Sequence, residues 1–146
     1  MTKEEKELLL KDLCARLPYE VKCLVSFDDG TKHIMTLKTG LPNSFGRWDF
    51  YNENCSGCSN NFKPYLRPMS SMTEEEKKEI SELIDAPIEI DSDGDIIYLG
   101  GYSIIPCSDY QIYIDYLISH HFDFRGLIPM GLAIEAPEGM YKINTK

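Results

Sequence analysis

His120–Pro129 reads HHFDFRGLIP, and the way this stretch is read decides how the last part of the chain folds. Two adjacent histidines, an aspartate and an arginine fall within six positions of a chain that has 3 histidines in all. One reading is a reaction centre, with His120 or His121 as general base, Asp123 orienting it and Arg125 holding an anionic substrate. The other is a helix end. Imidazoles are favourable at the negative end of a helix dipole, Phe122 and Phe124 alternate toward a core, and Gly126 supplies a left-handed turn. Adjacent helical residues point about 100° apart, so His120 and His121 cannot both ligate one metal from regular helix. The helix-end reading organises the flanking sequence better, and it makes the paired imidazoles the hinge that folds the final segment home.

Upstream of the hinge, a helix opens at Ser108, with Gln111 three residues on as capping partner and Ile112, Tyr113, Tyr116 and Leu117 turned to the core. Downstream, LIPMGLAIEAPEGMY is apolar but broken by Pro129, Gly131, Pro137 and Gly139, which predicts a buried extended segment. At the other end of the chain, Thr2 and Glu5 form a capping box, and Leu9, Leu10, Leu13, Cys14 and Leu17 recur on one face of a helix stopped by Pro18. Residues 19–27 alternate with Val21, Cys23 and Val25 on one side, and DDGT leads into KHIMTL, a hairpin. Between about 38 and 68 the periodicity fades under repeated Gly, Pro and Asn; this predicts an irregular loop in which RWDFY could add a short strand. Thr73 and Glu76 then cap an acidic helix with Glu74 and Lys78 at pairing distance, Pro87 ends it, and IEIDSDGDIIYLG forms a second hairpin with its apex at Asp93–Gly94. The expectation is a single α+β domain spanning 1–146, three helices packed on antiparallel hairpins.

The totals bound the function classes. At 146 residues, 42% hydrophobic and 27% charged, the chain can bury a core without staples. A net charge of −9 repels phosphate backbones and anionic bilayers, so direct nucleic-acid and membrane binding are disfavoured; an acidic surface suits a protein partner with a basic face or, more simply, good solubility. MTKEEKELLL has charges where a signal peptide needs an apolar run, no stretch reaches membrane-spanning length, and the 5 cysteines are odd in number and irregular in spacing. These features point to the cytoplasm, reduced thiols and no disulfide framework.

Other stretches carry weaker chemistry. Cys107 just precedes a helix cap, where backbone N–H groups lower a thiol pKa, yet His120 and His121 are some 20 Å away along a continuous helix; only His33 could serve it. Cys14 and Cys23 read as core residues. Cys55 and Cys58, in CSGC, have the spacing of half a zinc knuckle, but the other half is missing; two free thiols in a loop is the simpler reading, and no cofactor is implied. Glu89, Asp91, Asp93, Gly94 and Ile96 overlay part of a calcium loop whose twelfth position is Gly100, so a hairpin turn accounts for them better. In KPYLRPM, Lys63 and Arg67 make a small basic island, held extended by Pro64 and Pro68, that with Tyr65 could dock an anion or a partner; a stiff connector whose Tyr65 and Leu66 pack down accounts for it better.

KPYLRPMSSMTEEEKKEI and DYLISHHFDFRGLIPMGLAIEAPEGMY resemble a family of small uncharacterised proteins carried by phages and other mobile elements of gut bacteria, in which a capped acidic helix follows KPYLRPMSSMT and the chain closes on an HHFD-aromatic-RGL tail. The resemblance covers the helix after residue 63, the tail after 115 and the opening helix with its Leu-Pro-Tyr exit. It implies a mobile-element setting and assigns no residue a role. With the acidic surface, the expectation is a non-enzymatic accessory protein acting by protein–protein binding, inhibition of a host defence component being one form. The rival is a small hydrolase or nucleotide-processing enzyme centred on His120, His121, Asp123 and Arg125.

Overall fold

A computed structural model describes residues 2–38, 47–84, 88–90, 96–98 and 107–141. The first helix, α1 (Lys3–Arg16), starts at the expected capping box: the Glu5 backbone N–H donates to the Thr2 hydroxyl, and the Glu5 carboxylate accepts from the Thr2 N–H. A 3-10 turn over Leu17–Tyr19 and a left-handed Glu20 (φ 59°) then reverse the chain into β1 (Lys22–Ser26). Strand β2 (Lys32–Leu37) pairs antiparallel with β1 as Lys22↔Thr36 through Ser26↔Lys32, the first hairpin expected.

The 47–68 stretch departs from the irregular loop expected for 38–68: it contains β3 (Trp48–Tyr51), β4 (Ser56–Ser59) and β5 (Asn61–Leu66), joined by tight turns. The asparagines that read as breakers are the turns themselves. The Asn52 side chain accepts from the N–H groups of Asn54 and Cys55 and closes the β3–β4 hairpin, an Asx turn of the kind asparagine favours. Short strands of four to six residues separated by such turns leave too little alternation to read from sequence. Gly57 is needed because Phe27 packs against it: a Cβ there would lie 2.9 Å from the ring.

Beyond β5 a 3-10 turn (Met69–Ser71) leads to α2 (Glu74–Leu83), again with its capping box formed, by Thr73 and Glu76. Lys77, not Lys78, pairs with Glu74, at 3.2 Å. Strands β6 (Ile88–Ile90) and β7 (Ile96–Tyr98) pair antiparallel as a separate ribbon, the second hairpin; its Asp93–Gly94 apex, with Asp91 and Gly100, lies outside the described residues. The third helix, α3 (Cys107–Ser119), begins one residue before the expected cap, and the Gln111 amide reaches forward to Asp115 at 2.7 Å. It is continuous, so Cys107 stands a helix length from the histidine pair. After α3 the chain turns through Gly126 (φ 74°) and Gly131 (φ 76°) and adds β8 (Ile134–Glu135) parallel to β5. The main sheet therefore has six strands in the order β4-β3-β2-β1-β5-β8, mixed by that one parallel edge.

Two apolar clusters hold the layers together. One face of the main sheet, with Val21, Cys23, Val25, Met35, Leu37, Phe50 and Leu66, meets Leu9 and Leu13 of α1 and Leu127 and Leu132 of the tail. The second joins α2 to α3 through Met72, Ile80, Ile84, Tyr113, Tyr116, Leu117 and Phe122. Cys23 is core as expected, and burial drives its thiol pKa strongly up. Cys14, expected beside it, is exposed. The reason is that α1 is turned to bury Asp12 and Arg16, both 0% exposed, beside Leu9 and Leu13.

Candidate functional site at the end of the third helix

The end of α3 is a complete Schellman cap: the Phe122 N–H bonds the Leu117 carbonyl at 2.9 Å and the His121 N–H bonds that of Ile118 at 3.1 Å. In this motif the residue after the cap is left-handed and usually glycine; here it is His121, at φ 64°. Such a conformation costs a side-chain-bearing residue on the order of 1 kcal/mol. The surroundings over-determine it. His121 is buried and its ring stacks on Tyr141 at 3.7 Å between centroids, while Phe122, fully buried, joins Leu117 in the core.

Backbone and side chains then lock the segment from both sides. Arg67, at the end of β5, accepts from the Asp123 N–H and donates its own N–H to the His121 carbonyl, both at 2.7 Å, in a parallel bridge across Phe122. Its guanidinium lies 4.1 Å over the Phe122 ring and grips Glu76 through two bonds of 2.8 and 2.7 Å. Glu76 is also the capping-box glutamate of α2, so one carboxylate ties the start of α2 to the end of α3. Burial, the largest influence on Glu76, pushes its carboxyl pKa up. The Arg67 and Thr73 hydrogen bonds outweigh it and hold the group below its ordinary value.

On the opposite side, Arg16 donates to the Phe122 carbonyl at 2.5 Å and to Asp12 at 2.8 Å. Asp12 accepts a second bond, from Arg125 at 3.0 Å. Arg125 and Arg16 both lie over the Phe124 ring, at 4.6 and 5.5 Å. Asp123 does not orient a histidine: its two carboxylate oxygens accept the N–H groups of Leu127 and Ile128, at 2.8 and 2.9 Å. His120, half-buried, stacks on Tyr116 at 3.9 Å, with Nδ1 3.0 Å from the Tyr116 carbonyl. Tyr116 in turn donates to Glu79 at 2.6 Å, and burial with that carboxylate pushes its phenol pKa up.

Two buried polar atoms, Nη1 of Arg16 and Nδ1 of His121, find no hydrogen-bond partner among the described residues. Burial, reinforced by the charge on Arg16, pushes the His121 pKa down to about 3. His121 is therefore a neutral ring at physiological pH.

Tyr141 completes the arrangement. Where the β1–β5 register ends at Cys23 and Pro64, the Tyr141 hydroxyl accepts from the Lys22 N–H at 3.1 Å and donates to the Tyr65 carbonyl at 2.7 Å. It stands in for the next rung. Tyr141→Phe keeps the stack on His121 but strands two strand groups, and is expected to lower stability by about 1–2 kcal/mol, read as a lower urea midpoint with an unchanged denaturant slope.

The remaining sequence candidates fall in different places. Lys63 is exposed on the open face of the sheet, Tyr65 is buried against β8, and Arg67 is held by Glu76, so the three do not form one island. Cys55 and Cys58 sit in the β3–β4 turn and on β4, in extended chain and not in a knuckle, and among the described residues no three His, Cys, Asp or Glu side chains are grouped to hold a metal. A groove of about 520 Å³ beside the lock is lined by Arg67, Ser71, Thr73, Glu135, Glu138 and Tyr141; its one cation is already neutralised by Glu76. Sequence reasoning missed Asp12, Arg16 and Tyr141, and the hold of Glu76 on Arg67. For the first two a signal existed: a four-residue Asp–Arg spacing interleaved with Leu9 and Leu13 on one helical face.

No family model, curated protein or solved structure matches the chain. Among the described residues no helix is long and apolar enough to cross a membrane.

Proposed function

We propose that this chain is a non-enzymatic accessory protein of a phage or mobile element that works in the cytoplasm by binding another protein, inhibition of a host defence component being one form. The observation that carries the reading is the inward commitment of the HHFDFR segment. Asp123 caps a turn, Arg125 pairs with Asp12, and both imidazoles are stacked on tyrosines. A general base needs hydrogen-bond reach to a substrate proton and a cation free to hold the substrate; these groups serve the architecture instead. The surface meanwhile leaves large apolar side chains in water, including Ile34, Tyr51, Tyr110 and Met130, the residue types that anchor protein interfaces. A net charge of −9 favours a protein over a nucleic acid as partner.

Affinity capture from a gut-bacterial lysate, read for proteins and for small ligands, tests this. The expected result is a co-purifying protein, retained equally by His120→Ala, which removes a half-buried ring but leaves the Schellman cap in place. Recovery of a nucleotide or ester that the protein turns over, with turnover lost in His120→Ala at unchanged Tm, would overturn it.

A further inference from the structure

Among the described residues one face of the main sheet is core and the other is open, with lysines around its centre. The register places Ile34, Leu24 and Lys63 in one cross-strand row and Lys32, Ser26 and Asn61 in the next, with Lys22 and Thr36 on the other side of Leu24. Rows two residues apart are separated by about 7 Å and neighbouring strands by about 4.8 Å. An aliphatic pair is thus framed on three sides by ammonium groups. Ile34 is 50% exposed and Leu24 half-buried, and Tyr51 extends the apolar surface at 40% exposure.

Among the described residues none of Lys22, Lys32 or Lys63 forms an ion pair. A shallow hollow of about 480 Å³ on this face is lined by Leu24, Ser26, Lys32, Asn61, Lys63 and Ile134 among others with no carboxylate on its border, whereas the neighbouring hollow at Ile34, Lys22 and Tyr51 includes Glu20 and Glu53. By these spacings Lys63 lies about 8 Å from Lys22 and about 12 Å from Lys32, against a Debye length of ~8 Å at physiological salt, so the strip around Lys63 is locally positive although the molecule as a whole is negative.

We propose that this sheet face is a docking surface for an acidic protein segment, one that presents an aliphatic side chain flanked by Asp or Glu. The proposal rests on the protein-binding reading above and adds the surface and the partner's chemistry. The aliphatic anchor enters the Leu24–Ile34 strip, and the flanking carboxylates reach Lys63 on one side and Lys32 and Lys22 on the others. Complementary charge around an apolar centre gives both encounter rate and register. Nucleic acid fits the same face poorly: its centre is the aliphatic Leu24–Ile34 pair, and three lysines release few counterions.

The probe is a short synthetic peptide with Leu-Val at its centre and Glu and Asp on both sides, titrated into the full ¹⁵N-labelled chain. The expected result is amide shift changes concentrated at Leu24, Ile34 and Lys63. Affinity should fall about tenfold or more in Lys32→Glu/Lys63→Glu, and again on raising salt, as rim charge pairs are screened. Ile34→Ser should weaken binding at any salt concentration. Both substitutions change exposed side chains, and an unchanged Tm verifies that the fold survives them.

Equal shifts with a lysine-substituted peptide, no shifts on this face, tighter binding of an oligothymidine, or self-association abolished by the double charge reversal would each overturn the proposal. If the peptide fails while lysate capture still returns a protein, the surface assignment falls and the protein-binding reading stands. If capture returns none, the reading itself falls.

Discussion

Asp12→Ala is expected to destabilise the fold by about 3–5 kcal/mol, the cost of leaving a buried charge without its partner. Asp12 is fully buried and accepts from two guanidiniums, Arg16 at 2.8 Å and Arg125 at 3.0 Å. Without it, Arg16, also fully buried, keeps only the Phe122 carbonyl as acceptor among the described residues. Asp12→Asn should recover little, because the amide retains the shape but loses the charge. Asp12→Leu/Arg16→Met is the informative control. Replacing both members of a buried pair with apolar groups of similar volume is often close to neutral, so the double variant should be more stable than Asp12→Ala although it strands the Phe122 carbonyl and Arg125. Urea denaturation of the four proteins measures this. A loss below about 1 kcal/mol for Asp12→Ala, the range of exposed pairs, would show that the cluster is solvated and that the α3 end is not held from this side.

The same cluster shows where the sequence is legible and where it is not. Capping boxes are local: Thr2/Glu5 and Thr73/Glu76 need only three-residue spacing and an apolar run behind them, and both form as expected. The Asp-Asp-Gly hairpin is local too. The 47–68 strands are hidden because each is only four to six residues long and their partners lie in other hairpins, so the signal is in the pairing and not in the run.

At the α3 end, the identity of the hinge is readable from Phe122, Phe124 and Gly126, but its fasteners come from elsewhere. Arg67 is 55 positions upstream of Phe122, and Asp12 is 113 from Arg125. No window contains both partners. Glu76 illustrates the limit well: its local role in the capping box is plain from Thr73, while its bidentate hold on Arg67 depends on where β5 ends relative to α3. Asp12 and Arg16 of α1 are residue types ordinarily exposed, and only their tertiary partners bury them.

Acid should unfold the protein earlier than its carboxylates alone predict, and His121 is the reason. Its folded pKa is pushed down to about 3 by burial and by Arg16, from an ordinary 6.5. Below about pH 6.5 the unfolded chain takes up a proton there that the folded chain refuses, so stability present above 6.5 is lost as pH falls toward 3, at a little over 1 kcal/mol per pH unit. By about pH 4.5 the loss reaches some 3 kcal/mol, a large share of the 5–15 kcal/mol a domain of this kind holds. Glu76 acts lower. Its pKa is held below the ordinary 4.5, so its contribution persists through the upper part of the His121 window and is lost as pH drops beneath that value.

His121→Asn separates the two, since asparagine tolerates the left-handed backbone at this position and carries no titrating group. The variant should be less stable than the parent at pH 7, having lost the stack on Tyr141. Between about pH 6.5 and 4.5 its stability should stay nearly flat while the parent's declines, so the two curves converge. Below that both should fall as Glu76 protonates, the parent more steeply until about pH 3. Urea midpoints across the pH series supply the test, and parallel curves through the 6.5–4.5 window would mean that the imidazole charges in place, within an α3 terminus that water reaches.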